Sequence, residues 1–425
     1  FKENNKSKYG NTNMVIKTIF MLSLYFVPYF FIIFNLTENA WINLNFWILM
    51  SFGMAGIGFS IMHDANHGAY SKNKNVNKYL GYLINLVGGS SVNWKIQHNV
   101  LHHTYTNIAH HDEDIDGPLM RFAYKIKRHK VHRFQRFYAW FLYGLITLSW
   151  SLKKDFIQLR RYSKKDLLKT QQITFKKAFW RLISAKTFYI AYVLILPLIF
   201  SNQAWWITIV FYLIMHFTCG FIISVIFQLA HVIEETTFPQ PDENGKMENN
   251  FAIHQLNTTA NFAKNNLPLS WFVGGLNFQI EHHLFPNICH VHYRKISEIV
   301  NTHDSHIDKL LAITYFYKNH YKQNKNFGGC PILNVGVDAQ FTNPKLYERV
   351  KIVSLKLQKA LTKIIADGII SQEINKNINT EQYGGRIFAI IEGAIFTTVL
   401  HQDDNYLVDM MNYLENMINT DLKLK

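Results

Sequence analysis

Apolar positions along the chain gather into long unbroken runs. Thr18–Thr37 is 20 residues without a charge, and Ala40–Met62 is another 23. A helix crossing a bilayer core needs roughly 20 such residues, so each run is long enough to span, with "NLTEN" as the turn between them. Thr187–Ala230 runs for 44 residues without Asp, Glu, Lys or Arg. One helix cannot use that length. It divides at "SNQ" (201–203), which puts spans at about 182–200 and 204–230. Phe137–Leu152 has only 16 uncharged residues and predicts a helix lying in the interface or buried, not a span. Buried core helices of a large soluble protein are the competing reading, but two runs abut directly in each half of this region.

The pattern changes beyond about residue 301. Leu346, Val350, Val353, Leu357, Leu361 and Ile364 recur at helical spacing. Asn343-Pro344 is a helix start and Gly368 its expected stop. Two more amphipathic helices are predicted at about 381–400 and 404–421. The expected architecture is all-α: a four-span membrane domain over 1–300 and a small helical domain over 301–425.

Composition agrees with a membrane protein, with 48% hydrophobic and 15% aromatic residues. The sequence starts at Phe1 without Met and is expected to be incomplete there; no cleavable signal peptide is expected. Three scattered cysteines, Cys219, Cys289 and Cys330, make neither a disulfide framework nor a zinc ribbon. From Arg121 to Lys169 there are 14 Lys and Arg against two acids. A nucleic-acid patch is one reading of that stretch. Between membrane spans, the excess of positive charge on cytoplasmic loops is the other, and it is preferred here. The same charges suit anionic headgroups or a phosphate-bearing acyl carrier. The segments from His63 to about 180 and after Ala230 then face one side of the bilayer, and their side chains can meet.

Those two segments carry spaced histidines. His63 and His67 in "HDANH" are four apart, as are His98 and His102 in "HNVLHH", with His103 adjacent. On an α-helix such pairs share a face. His282 and His283 in "QIEHHLFP" are neighbours, about 100° apart on a helix, which suits two adjacent metals each taking one. His231 stands at the end of the fourth predicted span, where an ionisable residue is a functional candidate. Eight imidazoles exceed what one ion holds, so two metals are expected. Imidazole alone leaves zinc, copper, iron and nickel open. Carboxylates that could orient the rings are Asp64, Asp112, Asp114, Asp116, Glu234 and Glu235, although "HHDEDIDG" (110–117) reads equally as a solvated loop. His110, His111, His129, His132, His290 and His292 are left out of the site, and His254 stays open.

The boxes His63–His67, His98–His103 and Gln279–His283 resemble those of the membrane fatty acid desaturases. Gln279 in place of a histidine is similar to the front-end, linoleoyl-CoA-type branch, as are "FQLAHVIEETTFP" and "HHLFPNICHVHY". The resemblance covers residues 1–300. It implies a helical membrane fold with a cytosolic cap and two iron ions held by the eight histidines, with Gln279 near the metal. It implies dioxygen as co-substrate and a cis double bond inserted into an acyl-CoA or acyl-lipid chain. Electrons are expected from a separate ferredoxin or cytochrome b-type donor. The expected location is a bacterial inner membrane, with the site on the cytoplasmic side. Trp94, Trp271, Phe272 and Phe278 are candidates for the substrate channel. A hydroxylase or ketolase of the same membrane family, and a zinc membrane hydrolase, stay open as alternatives.

Residues 306–425 are similar to the ligand-binding and dimerisation domain of tetracycline-repressor-type regulators. The likeness rests on "GGCPILN" (328–334), "TNP" (342–344) and "IIEGAIF" (390–396). The regulators' helix-turn-helix is not found, so DNA binding is not expected. The helices suit a homodimer. An inactive fusion acting as a membrane-bound sensor is the alternative from outside enzymology.

Overall fold

A computed structural model describes residues 7–424 apart from 118, 244, 246, 248–250, 302–304 and 321–330. Cys330 and the start of the "GGCPILN" motif lie outside the described residues. The fold is all-helical; among the described residues the only β pairings are isolated bridges at Asp116–Arg121 and Ile374–Lys423. The chain divides into two compact units, Phe1–Ser297 and Glu298–Lys425.

In the first unit, α1 (Thr12–Ile33) and α2 (Ala40–Gly56) are antiparallel, each started by an asparagine side chain that accepts backbone N–H bonds, Asn11 and Asn39. α2 continues through a π-helical stretch, Ile57–Met62, into a short helix, His63–Asn66. A second π-helical stretch, Lys95–His102, follows the helical turn Ser91–Trp94. Next come α3 (Gln135–Gly144), α4 (Asp155–Lys164), α5 (Phe175–Ile190, prolonged to Phe200), α6 (Trp205–His231) and α7 (Gln279–Leu284). Among the described residues, four of the five helices long and apolar enough to cross a membrane are Thr12–Ile33, Ala40–Asn66, Phe175–Phe200 and Trp205–His231. Their outward faces carry exposed Ile19, Phe30, Leu49, Phe188, Ile199 and Trp206, as lipid contact requires.

Polar groups inside these helices are satisfied by each other, since an unmet polar group in hydrocarbon costs several kcal/mol. Tyr25 and Tyr192 share a hydrogen bond of 2.8 Å, Tyr29 OH donates to Tyr192 O at 2.8 Å, and Tyr189 OH lies 2.8 Å from His216 Nε2. These bonds stitch α1, α5 and α6 together. The segment 137–152, expected in the interface or buried, runs along α6. Gly220 permits that approach: a Cβ there would sit 2.5 Å from Gly144 O. Thr147 Oγ1 donates to His216 O at 2.8 Å on the same seam. At the end of α5, the buried Lys186 donates to Gly88 O and Trp150 O, both at 2.6 Å, and pairs with Asp155. Asn93 Nδ2 donates to Asp155 O at 2.7 Å, so this ion pair anchors the segment leading into the second histidine box.

The second unit holds α8 (His306–His320), α9 (Pro331–Thr342), α10 (Pro344–Ile370), α11 (Thr380–His401) and α12 (Asn405–Met417). Its own core gathers Ile365, Ile391, Met411, Leu414 and Ile418. Asn343 caps α10 through a bond from Leu346 N, as predicted. Gly368 does not end the helix. It is buried within the last turn, where its missing Cβ admits Ile374, and α10 runs two residues further to Ile370. Leu346, Val353 and Leu357 are exposed, so the N-terminal half of the predicted apolar stripe stays outside the core. α11 is the fifth helix long and apolar enough to span.

Candidate metal centre

Each box gains its geometry from the helix that carries it. The helix His63–Asn66 caps α2 and directs His63 and His67 to one side, with ring centroids 4.8 Å apart. The second box departs from the α-helical expectation. Its backbone is π-helical, and His103 N donates to His98 O, a five-residue step. π turns of this kind concentrate at functional sites. The wider turn brings His98 and His103 to 4.8 Å between centroids, closer than His98 and His102 at 5.3 Å. α7 carries His282 and His283, and α6 ends on His231.

Ring nitrogens then fall into groups. His63, His67, His98 and His282 offer ligand atoms within 4.8 Å of one another; so do His102, His231 and His283. His103 groups with His282 and His283, between the two sets. His63 Nε2 lies 3.1 Å from His98 Nε2. The neighbours His282 and His283 belong one to each main group.

The outward nitrogens of His102, His231, His282 and His283 have protein partners, whereas those of His63 and His103 have none within hydrogen-bond distance. His102 Nδ1 donates to Asp112 Oδ2 at 3.0 Å, and Asp112 also accepts from Asn107 N at 3.0 Å. Asp114 lies 3.6 Å from His102 and accepts from Gln97 Nε2. His283 Nδ1 donates to Gln255 Oε1 at 2.7 Å, while Gln255 Nε2 donates to His103 O at 3.1 Å. His282 Nδ1 is 3.2 Å from Tyr293 OH, and His231 Nδ1 is 3.3 Å from Thr258 O. Inward, His67 Nε2, His102 Nε2, His282 Nε2 and His283 Nε2 are buried with no partner. A buried, unpaired polar atom costs roughly 1–3 kcal/mol, and several aimed at common points fit metal ions. Burial, and then the charges of neighbouring imidazoles, holds His67, His98, His103, His282 and His283 well below the ordinary histidine value. They are therefore neutral, the form that binds metal. His102 differs: burial lowers it, Asp112 and Asp114 raise it more, and the balance is upward.

Other candidates lie elsewhere. Glu234 and Glu235 are exposed, because α6 stops at His231 and the chain turns away at Val232. Asp116 is 3.6 Å from His110, in the loop, and touches none of the eight rings. Asp64 is buried, 3.7 Å from His63. His254 Nε2 donates to Thr106 O at 2.9 Å, a structural bond. Gln279 is buried, with its Oε1 unpartnered. Sequence reasoning missed Gln255 and Thr258, which lie outside the histidine boxes, and Tyr293, which ends "HHLFPNICHVHY" but was not singled out.

A cavity of about 570 Å³ opens beside the rings. His63, His98, His102, His231, His282 and Gln279 form part of its wall, and Met54, Phe59, Val87, Ile146, Ile226 and Phe227 make much of the rest apolar. Trp94 lines it and stacks on His98 at 4.4 Å. Trp271, Phe272 and Phe278 are not in its described lining. Trp271 packs edge-on against Phe20, Phe272 against Phe52 and Phe59, and Phe278 sits with Tyr293 and Ile296.

Residues 39–306 match the family model described as "Fatty acid desaturase". The chain belongs to the fatty acid desaturase family. The desaturase is 38% identical over 299 residues to the sn-1 linoleoyl-lipid 6-desaturase of Arthrospira platensis, covering 70% of this chain and 79% of that protein. It is 37% identical over 306 residues to the protein of the same name from Synechocystis, covering 71% and 83%. The acyl-lipid (8-3)-desaturase of Physcomitrium patens is 35% identical over 309 residues, covering 71% of this chain and 62% of that one. Residues 307–414 match the description "Tetracyclin repressor-like, C-terminal domain". As a fatty acid desaturase, the protein is an oxidoreductase of a family that works with a di-iron centre and dioxygen, and its histidine groups can hold metal.

Proposed function

We propose that the desaturase inserts a cis double bond, at a front-end position, into the acyl chain of a lipid or CoA ester. His63, His67, His98 and His282 hold one iron; His102, His231 and His283 hold the other, and His103 stands between them. The observation that carries this reading is the set of unpartnered inward nitrogens at the wall of an apolar cavity. Two irons together supply the oxidising power, from dioxygen and two external electrons, to remove hydrogens from an unactivated chain. The protein's part is orientation and exclusion of water. Gln255, Asp112 and Tyr293 fix the outer nitrogens and so the direction of the inner ones. The cavity wall around Phe59, Ile226 and Phe227 takes the acyl chain out of water and presents one stretch of it to the rings. Gln279 offers an amide at the same wall, and Trp94 holds His98 in place by stacking.

The four spans of the first unit cross a bacterial inner membrane, with the basic 121–169 stretch and the metal centre on its cytoplasmic side. Electrons come from a ferredoxin or cytochrome b-type donor. Residues 301–425 are a separate helical domain whose exposed α10 face pairs two chains. Expression in a host fed defined fatty acids, followed by gas chromatography, tests the reaction: new double-bond isomers are expected. A hydroxylated chain as sole product would instead assign the hydroxylase chemistry.

A further inference from the structure

A second buried cluster lies behind His63, away from the cavity. Lys17, in the second turn of α1 and just before its uncharged run, is only 3% exposed. Its Nζ donates to His290 Nε2 at 2.7 Å. His290 Nδ1 and His290 N both donate to Asp64 Oδ2, at 2.8 and 3.1 Å. The other oxygen, Asp64 Oδ1, lies 3.7 Å from His63 Nδ1, the nearest carboxylate to a buried nitrogen that has no hydrogen-bond partner of its own. Asp64 and His290 are 1% and 5% exposed, so no part of this chain is loosely placed.

Asp64, Cys289 and His290 are close enough to be read as a cation site of their own. The bonding argues against that. Both ring nitrogens of His290 are engaged, one by an ammonium group, whereas His67, His102, His282 and His283 each keep Nε2 free. A buried ammonium beside the set also repels a further cation.

We propose that Lys17 and His290 are positioning residues for the iron site of His63. Lys17 occupies His290 Nε2 and so fixes the proton on Nδ1. That proton and the His290 backbone N–H pin one oxygen of Asp64, leaving the other aimed at the outer nitrogen of His63. A carboxylate behind a metal-bound histidine orients the ring and raises its basicity. Here the carboxylate is itself oriented by a residue that follows the third box and by a lysine of the first span. The device rests on the two-iron reading above and adds to it a reason for a buried lysine in α1.

The test uses full-length protein purified in detergent and loaded with iron-57. Iron per chain is measured by mass spectrometry during titration with limiting iron, and the two sites by Mössbauer spectroscopy. His290→Ala and Lys17→Met are expected to weaken one site about 10–100-fold, so occupancy falls from two towards one and one quadrupole doublet changes. His290→Gln, whose amide can still donate to Asp64, should restore part of the loss. Should His290→Ala fail to give a monodisperse protein, Lys17→Met and His290→Gln carry the comparison. Variants that melt earlier but titrate and absorb as wild type would overturn the proposal and leave a purely structural ion pair. Wild-type protein that never reaches two irons would instead refute the metal reading itself.

Discussion

Replacing His283 with Ala removes an inward nitrogen from one group and empties the partner position of Gln255. Iron per chain is expected to fall below two, and new double bonds to disappear from the chromatogram. Gln255→Ala is the subtler change. It leaves every imidazole in place but frees the rings of His283 and the backbone of His103. Metal affinity or turnover should drop about 10–100-fold, as for other outer partners of metal-bound histidines, read by iron titration. Glu234→Gln and Glu235→Gln, both exposed, should alter neither iron content nor stability beyond about 0.5 kcal/mol. The contrast shows what a sequence discloses at this scale. Histidines announce themselves by type and spacing. Gln255 sits in a polar stretch like many others, and only the fold brings it to His283. Glu234 and Glu235 follow His231 so closely that they look like its partners, until the helix end turns them outward.

The helices that carry the boxes were legible as helices, but not their pitch. Nothing in "KIQHNVLH" marks a five-residue hydrogen-bond step, and the α-helical assumption pairs His98 with His102 instead of His103. The long apolar helices were the clearest signal, because a run of some twenty uncharged residues has few other uses. A tight turn before α7 completes the site. Gly274 has a φ of +62°, and a Cβ there would lie 2.7 Å from Phe59 O. Gly274→Ala therefore meets both a disfavoured backbone and the π-helical stretch after α2. A loss of more than about 1 kcal/mol is expected, seen as a lower melting temperature in detergent, together with reduced iron content because α7 is displaced.

All eight imidazoles and all their partners described above belong to the first unit, and the second has its own core. Removal of residues 302–425 should accordingly leave two irons per chain and the same product profile, measured on the truncated protein in the fed host. The periodicity of the sequence changes after residue 301, because long apolar runs and amphipathic helices obey different rules. The grouping of the rings bears on how the enzyme is made. His63, His67 and His98 emerge from the ribosome long before His282, and His102 waits equally for His231 and His283. Under the proposed assignment, neither ion would have its full set of ligands until the last pair of long apolar helices is made. Iron held in this way would be a late acquisition in biogenesis, fastening the first-made half of the protein to the last.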